Sequence, residues 1–258
     1  MNETTIAWTE KTWNPTTGCR KVSPGCAYCY ACTLAEQKRG TPAFPIGFDL
    51  QLRRHKLTEP TKIKTPSLIF VNSMSDLFWE DIPDDYRDQV FDIIESTPRH
   101  TYQILTKRPE NMLRYSRRRT LPDNAWMGVT VESQPYIDRV DVLRQVRAAV
   151  RFVSLEPLLS PINMDFAGLD WCIVGGESGL HLRDPAVAAK RSLAEQVNGK
   201  WQPRKDRESW VRDIKDACER SRVAFFFKQW GGARPTSAGC LLDGREWKAY
   251  PMVNVAHQ

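Results

Sequence analysis

The chain has 258 residues, 41% hydrophobic and 26% charged, which is enough for a sizeable core in one α/β barrel or two smaller domains. Its 37 Lys and Arg against 31 Asp and Glu give a net charge of +6 and a pI near 9.0, which suits a polyanionic partner without requiring one. No apolar run approaches the length of a membrane span, the N-terminus is polar, and seven cysteines with four of them bunched argue against a disulfide framework, so we expect a cytoplasmic protein.

The first informative segment follows a seventh candidate strand near residues 6–13. Cys19, Cys26 and Cys29 form a C-x6-C-x2-C motif in a stretch punctuated by Gly and Pro. Thiolates select iron–sulfur clusters, zinc or copper. A [4Fe-4S] cubane has one more iron than three thiolates can bind, so an open iron would remain for a substrate or cofactor. If Cys32 also ligates, four thiolates would instead complete a structural zinc site or a closed electron-transfer cluster.

Beyond the cysteines, short apolar runs alternate with helical patterns. The runs are residues 67–71, 102–105, 126–130, 151–155, 171–174 and 223–227; the helical patterns cover 31–38, 83–96, 135–150 and the segment around Trp210, Ile214 and Cys218. Continuous rather than alternating apolar runs indicate strands buried on both faces, as in a parallel sheet. The pattern therefore predicts an α/β fold with a full or partial parallel (β/α) barrel of about six strands.

Polar residues follow each predicted strand. They are Ser73 and Asp76, then Thr106-Lys107-Arg108, Glu132, Glu156, Gly175-Gly176-Glu177, and Lys228. The C-terminal strand ends of such barrels surround one pocket, so we expect these groups to converge there, although each could also form a structural ion pair. The glycine pair either exposes backbone N–H groups to an anion or makes a tight turn.

Several blocks together resemble a known family. They are Trp13–Cys19 with Ser23–Ala31, Phe70–Phe78, Leu105–Pro109, Gly128–Glu132, Ser154–Leu159, Val174–Gly179 and Phe226–Gly231. They are similar to the three-cysteine phage and bacterial proteins of unknown function (DUF5131-like), regarded as related to radical S-adenosylmethionine (SAM) enzymes. Cys26-Ala27-Tyr28-Cys29 matches the second half of that superfamily's C-x3-C-x-aromatic-C motif, whereas the first spacing is six rather than three.

The resemblance implies a cofactor and a chemistry. Cys19, Cys26 and Cys29 would hold a [4Fe-4S] cluster whose open iron binds SAM, and electron transfer would release a 5'-deoxyadenosyl radical. Tyr28, Ser73, Asp76, Gly175, Gly176 and Glu177 are the expected cofactor-binding residues. Lys107, Glu132, Glu156 and Lys228 are the expected catalytic residues. A reductant such as flavodoxin or ferredoxin would be the electron source, and a separate partner protein is compatible with the sequence.

We expect one barrel domain over residues 1–258, enlarged by an insertion at 181–208 that serves as a lid, a partner-binding segment or a solvated surface helix. Basic residues at 53–56, 62, 64 and 114–119, with nine tryptophans, suit nucleic acid or a nucleotide as substrate. Two alternatives stay open: a radical enzyme acting on a small molecule or peptide, and a nucleic-acid-binding protein with a structural Cys-ligated zinc.

Overall fold

A computed structural model describes residues 1–252, so the last six residues of the predicted domain, 253–258, lie outside the described part. The chain divides into two compact units. The first comprises Met1–Val129 and Val142–Ala149, and the second comprises Thr130–Asp141 and Val150–Gln258.

The described residues contain twelve strands and six α-helices. The strands are β1 (Asn2–Glu3), β2 (Lys11–Trp13), β3 (Thr16–Thr17), β4 (Gln51–Leu52), β5 (Leu68–Val71), β6 (Thr101–Thr106), β7 (Ala125–Thr130), β8 (Arg151–Leu155), β9 (Trp171–Gly175), β10 (Ala194–Val197), β11 (Lys200–Pro203) and β12 (Ala224–Gln229). The helices are α1 (Tyr30–Gln37), α2 (Asp84–Glu95), α3 (Pro109–Arg118), α4 (Asp138–Arg144), α5 (Pro185–Arg191) and α6 (Lys205–Ser221). Short 3-10 turns lie at Pro24–Cys26, Arg54–Lys56, Pro60–Lys62, Gln134–Tyr136 and Leu180–Arg183.

In the first unit, β2, β5, β6 and β7 are parallel neighbours in that order, and β1 pairs antiparallel with β2. The strands are apolar on both faces, as the continuous runs predict: Ile69, Val71 and Ile104 are at most 1% exposed. Strands β3 and β4 form a separate, antiparallel two-stranded sheet. The parallel arrangement places the carboxyl ends of β2, β5 and β6 at one edge, and the cysteine loop follows β2 and β3.

Helices α2 and α3 are joined by aromatic packing and by charge. The rings of Phe91 and Tyr115 lie 5.1 Å apart. Arg118 pairs with Asp88, while Arg119 reaches Asp92 at 2.7 Å and Glu95 at 3.0 Å. Two arginines of the basic run that suggests nucleic acid from the sequence, Arg118 and Arg119, are therefore paired with acidic residues of the neighbouring helix, whereas Arg114 and Arg117 are exposed.

In the second unit, β8, β9 and β12 are parallel neighbours, with a register shift between Phe227 and Gln229 at the end of β12. Helix α6 packs on β12, burying Val211, Ile214 and Cys218 to at most 1% exposure. The α6 pattern predicted around Trp210, Ile214 and Cys218 is thus confirmed.

The predicted α/β fold class with parallel strands is confirmed: the protein is mixed α/β, with four parallel strands in the first unit and three in the second. The six predicted strands are present with ends shifted by at most two residues, and the seventh is β2. The predicted helix over 135–150 is wrong at both ends. It begins with the 3-10 turn Gln134–Tyr136, and α4 ends at Arg144 because the N–H of Val146 turns back to the Leu143 carbonyl at 2.9 Å.

The 181–208 segment is more than a surface helix. Its helix α5 is followed by an antiparallel β-hairpin in which Ala194 pairs with Pro203 and Val197 with Lys200. Asn198 and Gly199 occupy the two-residue turn, both with positive φ, the conformation that a tight hairpin requires. Whether this segment is an insertion in one domain stays a prediction. Among residues 1–252, no helix is long and apolar enough to cross a membrane.

Candidate functional site: a cysteine loop and two groups of strand-end residues

The cysteine loop is fastened to the segment that follows β5. The Asn14 Oδ1 accepts from the Met74 N–H at 2.9 Å and from the Ser73 hydroxyl at 3.2 Å. The Gly18 N–H donates to the Met74 carbonyl at 3.0 Å, and the Ser75 hydroxyl donates to the Gly18 carbonyl at 2.7 Å. These bonds bring residues about 60 positions apart into register and hold the backbone up to the first cysteine.

Gly18 cannot be replaced without strain. Its φ is +94°, and a Cβ built there would lie 2.3 Å from the carbonyl oxygen of Asp49. A backbone atom cannot swing aside as a flexible side chain can. Glycine is therefore required at the position directly before Cys19.

We expect Gly18→Ala to lower both the melting temperature and the amount of metal bound after reconstitution, because the collision with Asp49 displaces Cys19. The matched control is Gly40→Ala, whose φ is +85° but whose Cβ would meet nothing within 4 Å. The control should cost about 1–2 kcal/mol from backbone strain alone, and Gly18→Ala should cost more. Equal thermal shifts and equal metal content in the two variants would contradict the positional argument.

Cys26 and Cys29 lie just before α1, which begins at Tyr30. Cys26 ends the 3-10 turn Pro24–Cys26, and its Sγ lies 3.9 Å from the Ser23 hydroxyl. Cys29 is the N-cap of α1, at the end of the helix where the dipole favours negative charge. Cys19, Cys26, Cys29 and Cys32 are all free and half-buried. The sulfur atoms are thus accessible to a metal centre.

Electrostatic neighbours link the cysteines in pairs. Burial raises the pKa of the Cys19 thiol to about 12, with further raising by Asp76 and Cys26, while Arg108 acts in the opposite direction. Burial also raises the pKa of Cys32, and the neighbouring Cys29 adds to it. Within residues 1–252, no group of three His, Cys, Asp or Glu side chains is placed to hold a single metal ion.

Arg108 is the cation at Cys19. It lies at the N-cap of α3, and its side chain is 7% exposed. Its Nη1 is 3.6 Å from the Cys19 Sγ and 3.2 Å from the Asp76 Oδ2, its Nε donates to Glu80 at 3.0 Å, and its Nη2 donates to the Arg20 carbonyl at 3.2 Å. The guanidinium therefore connects a predicted metal ligand to the ends of β5 and β6.

Asp76 has little capacity left for a cofactor. Its Oδ1 accepts from the Thr106 hydroxyl at 2.7 Å and from the Phe78 N–H at 3.0 Å, and its Oδ2 accepts from the Lys107 N–H at 3.1 Å and from Arg108. The side chain is 9% exposed, and its hydrogen bonds link the segment after β5 to the end of β6. A direct contact between Asp76 and a cofactor stays a prediction.

The other predicted residues of the first unit lie beside the cysteines in different ways. Ser73 is bonded to Asn14 through its hydroxyl, and its carbonyl accepts from the Tyr30 hydroxyl at 2.6 Å. Tyr28 is 42% exposed. Lys107 is half-buried at the end of β6. The structure thus places Ser73 and Tyr28 on or against the cysteine loop.

Trp79 lies near Arg108, the arginine that contacts Cys19. Arg20 and Arg108 lie 5.7 and 6.0 Å from the centre of its ring. Its Nε1 is buried and has no hydrogen-bond partner among the described residues. A buried N–H without an acceptor is suited to a sulfur or oxygen atom of a bound group. The donors present therefore fit an iron–sulfur cluster in chemical type.

In the second unit, Glu156 and Lys228 form an ion pair with Nζ and Oε1 3.0 Å apart, their side chains 15% and 22% exposed. The Ser154 hydroxyl donates to the other Glu156 oxygen at 3.3 Å. Gly175 lies against this carboxylate, since a Cβ there would be 2.6 Å from Oε1. The pair is thus partly accessible, and it joins the ends of β8 and β12, the two strands on either side of β9.

The glycine pair is built for close packing. The N–H of Gly176 donates to the Gln229 carbonyl at 2.9 Å, so it is not free to bind an anion in this conformation. A Cβ at Gly176 would lie 2.0 Å from the Trp230 carbonyl oxygen. The tight-turn interpretation therefore explains Gly176 directly, and contact between a cofactor and Gly175 or Gly176 stays a prediction.

Glu177 is 7% exposed and engaged by the 181–208 segment. Arg191 of α5 donates to both oxygens of this carboxylate, from Nε to Oε2 at 2.5 Å and from Nη2 to Oε1 at 2.8 Å. His181 lies 3.6 Å from the same carboxylate, and burial lowers the pKa of His181 despite this anion. The salt bridge anchors α5 to the loop after β9.

Glu132 is fully buried, at 0% exposure. Its Oε2 accepts from the Arg139 Nη1 at 2.9 Å, and the same nitrogen donates to the Thr130 carbonyl at 2.7 Å. The Arg139 guanidinium also stacks 4.4 Å over Tyr136. This geometry favours the structural interpretation, and a catalytic role for Glu132 stays a prediction.

Arg53, part of the second basic cluster, is 8% exposed and donates to the Thr17 hydroxyl and the Ala43 carbonyl. Like Arg118 and Arg119, it is occupied within the protein. The interactions that sequence reasoning did not foresee are those of Arg108, Arg191 and Trp79. Arg108 follows Lys107 at a strand end, but no spacing in the chain announces that it reaches a cysteine 89 residues away.

The chain resembles the solved structure of spore photoproduct lyase complexed with dinucleoside spore photoproduct, at 11% identity and a TM-score of 0.48, over 84% of this chain and 74% of that one. It resembles a cysteine-to-alanine mutant of that lyase with the same ligand at 11% identity and a TM-score of 0.45, over the same shares. A search of the curated proteins finds no match. A family model described as protein of unknown function (DUF5131) matches residues 3–251, and the chain therefore belongs to that family, as its motifs predict.

Proposed function

We propose that this protein is a radical SAM enzyme in which Cys19, Cys26 and Cys29 hold a [4Fe-4S] cluster. The observation that carries the proposal is the set of three free, half-buried thiols in a loop anchored to the end of β5, with a buried arginine against the first of them. When bound, the reduced cluster supplies an electron that cleaves SAM into methionine and a 5'-deoxyadenosyl radical able to abstract hydrogen. Each thiolate of a cubane binds a different iron, so the sulfur atoms need not meet at one ion.

The residues of this loop have distinct tasks under the proposal. Asn14 and Gly18 hold the backbone in place before Cys19. The N-terminus of α1 stabilises negative charge at Cys29. Tyr28, which stands between Cys26 and Cys29 and is 42% exposed, is the aromatic side chain available to a bound cofactor. Ser73 contributes through the Asn14 bond rather than by a free hydroxyl.

We assign binding and proton-handling tasks to strand-end side chains that keep some exposure. Lys107 in the first unit and the Glu156–Lys228 pair in the second are the groups we propose to meet the carboxylate, ribose or phosphate of a cofactor or substrate. In the pair, the Lys228 ammonium can meet an anionic group of the ligand, and the Glu156 carboxylate can accept a hydrogen bond from it. Glu177 supports them indirectly by anchoring α5.

The substrate proposed is nucleic acid or a nucleotide, with electrons from a flavodoxin- or ferredoxin-type reductant. Lys62 and Lys64 are exposed basic residues that support the substrate class, whereas Arg53, Arg118 and Arg119 do not, because protein groups already occupy them. A radical enzyme for a small molecule or peptide is the second candidate, favoured by this pairing of the basic residues.

The test is uncoupled cleavage of SAM. Protein purified and reconstituted without air, then given dithionite and SAM, should produce 5'-deoxyadenosine and methionine in equal amounts, even without its substrate. The control is the same protein stripped of metal by a chelator. Stoichiometric zinc without sulfide after reconstitution would support the nucleic-acid-binding alternative and overturn the proposal, as would a full cluster that leaves SAM intact. Acceleration by oligonucleotides, but not by nucleosides or peptides, would support the nucleic-acid substrate.

A further inference from the structure

The arginine at Cys19 does more than complete an ion pair. Each of its three guanidinium nitrogens is engaged: Nε with Glu80, Nη2 with the Arg20 carbonyl, and Nη1 with both Asp76 and the Cys19 sulfur. An arginine needed only to neutralise Asp76 would not require a sulfur contact. The guanidinium fork of Arg108 is thus held in one orientation, with one N–H directed at the Cys19 Sγ.

Burial makes this contact strong. Arg108 is 7% exposed and Asp76 is 9% exposed at the side chain, so water screens their charges poorly. Glu80 and Arg20 are more exposed, at 54% and 71%, and their charges are correspondingly screened. Of the two cations, Arg20 and Arg108, the poorly screened one is therefore Arg108, whose Nη1 contacts the Cys19 sulfur.

The position of Cys19 makes the contact specific. Cys26 ends the 3-10 turn before α1 and Cys29 is the N-cap of α1, while Cys19 lies seven positions before Cys26 and is the thiol that Arg108 contacts. An N–H donor lowers the electron density on one ligand sulfur and thus stabilises a more negative cluster. Hydrogen bonds to sulfur and nearby positive charge are among the features by which a protein sets a cluster's reduction potential.

We propose that Arg108 is a positioning residue that donates a hydrogen bond to the Cys19 ligand and raises the reduction potential of the cluster. The inference rests on the proposed function, since it needs the cluster to be present. The step affected is the entry of one electron from an external reductant of the flavodoxin or ferredoxin class, or from dithionite, into the oxidised cluster. No proton or bond change accompanies it; the added negative charge is what Arg108 stabilises.

The test is a potentiometric titration monitored by electron paramagnetic resonance on the reconstituted full-length protein. Arg108→Gln removes the charge, and Arg108→Lys keeps the charge but loses the fork. Asp76 retains three other donors in both variants, so the fold has support. Arg114→Gln, an exposed arginine of the same helix, is the control.

We expect Arg108→Gln to disfavour reduction about tenfold, which for a one-electron couple is about 59 mV toward more negative potential. Arg108→Lys should fall between the parent and Arg108→Gln, and Arg114→Gln should match the parent. An unchanged potential in Arg108→Gln at full iron and sulfide content would overturn the inference and leave the proposed function intact. Loss of the cluster in a correctly folded Arg108→Gln would also overturn it, because the arginine would then serve assembly. A parent protein without a cluster would overturn the proposed function and, with it, this inference.

Discussion

Replacing any one of Cys19, Cys26 and Cys29 with alanine is expected to abolish retention of the cluster. The parent, reconstituted without air, should carry about four irons and four sulfides per chain, and each variant close to none. Two remaining thiolates cannot hold a cubane against chelators and gel filtration. Iron and sulfide analysis, with the visible absorption of the cluster, measures the effect.

Cys32→Ala is the matched control, because Cys32 lies within the first turn of α1, three residues after Cys29. Cys32 is free and half-buried like the other three cysteines. If the removal of any half-buried thiol lowered the iron content, Cys32→Ala would therefore lose iron as well. We expect Cys32→Ala to keep its iron. Loss of iron in Cys32→Ala with retention in any one of the other three variants would show that the ligand set is misassigned.

The parallel fold could be predicted because its signal is local. Runs such as residues 69–71 and 171–174 are apolar at every position, which only a strand covered on both faces tolerates. The structure buries them as expected. The error at α4 has an equally physical origin: Val146 and Val150 are buried, but in a turn and its exit, and apolar spacing alone does not distinguish these from a helix.

The hairpin β10–β11 escaped prediction for a different reason. In β10 burial runs from buried Ala194 to exposed residues at the tip, and in β11 half-buried and exposed residues alternate but none is fully buried, so the run gives no strong apolar strand signal. Its turn, Asn198-Gly199, is a strong hairpin signal that was present in the sequence. Charged residues around it favour a solvated helix equally well when the turn is not weighed first.

The site shows where sequence reasoning ends. Cysteine spacing identifies candidate ligands because metal binding requires particular atoms within a short loop. It does not identify Arg108, whose contact with Cys19 depends on how β5, β6 and the cysteine loop are joined. Nor does it show that the Gly176 N–H is already bonded, or that Glu132 is fully buried, since both depend on tertiary packing.

The remaining large effect concerns the buried pair Glu132–Arg139. Arg139→Met is expected to lower the free energy of unfolding by about 3–5 kcal/mol, because it leaves the carboxylate of Glu132 buried without its cation. The Glu132 side chain is 0% exposed and cannot turn to water without opening the structure. Urea denaturation followed by circular dichroism measures the change. Arg147→Met, at an exposed arginine, should change stability by no more than about 0.5 kcal/mol.

The double variant Glu132→Gln/Arg139→Met separates a structural role from a catalytic one. Removing both charges should restore most of the stability lost in Arg139→Met, since a neutral amide costs far less to bury than a carboxylate. If Glu132 serves only the fold, Glu132→Gln should lose stability while its remaining folded fraction still cleaves SAM at the parent rate. A Glu132→Gln protein with parental stability and no SAM cleavage would contradict this interpretation and return Glu132 to the catalytic set, because the charge would then matter to the reaction and not to the core.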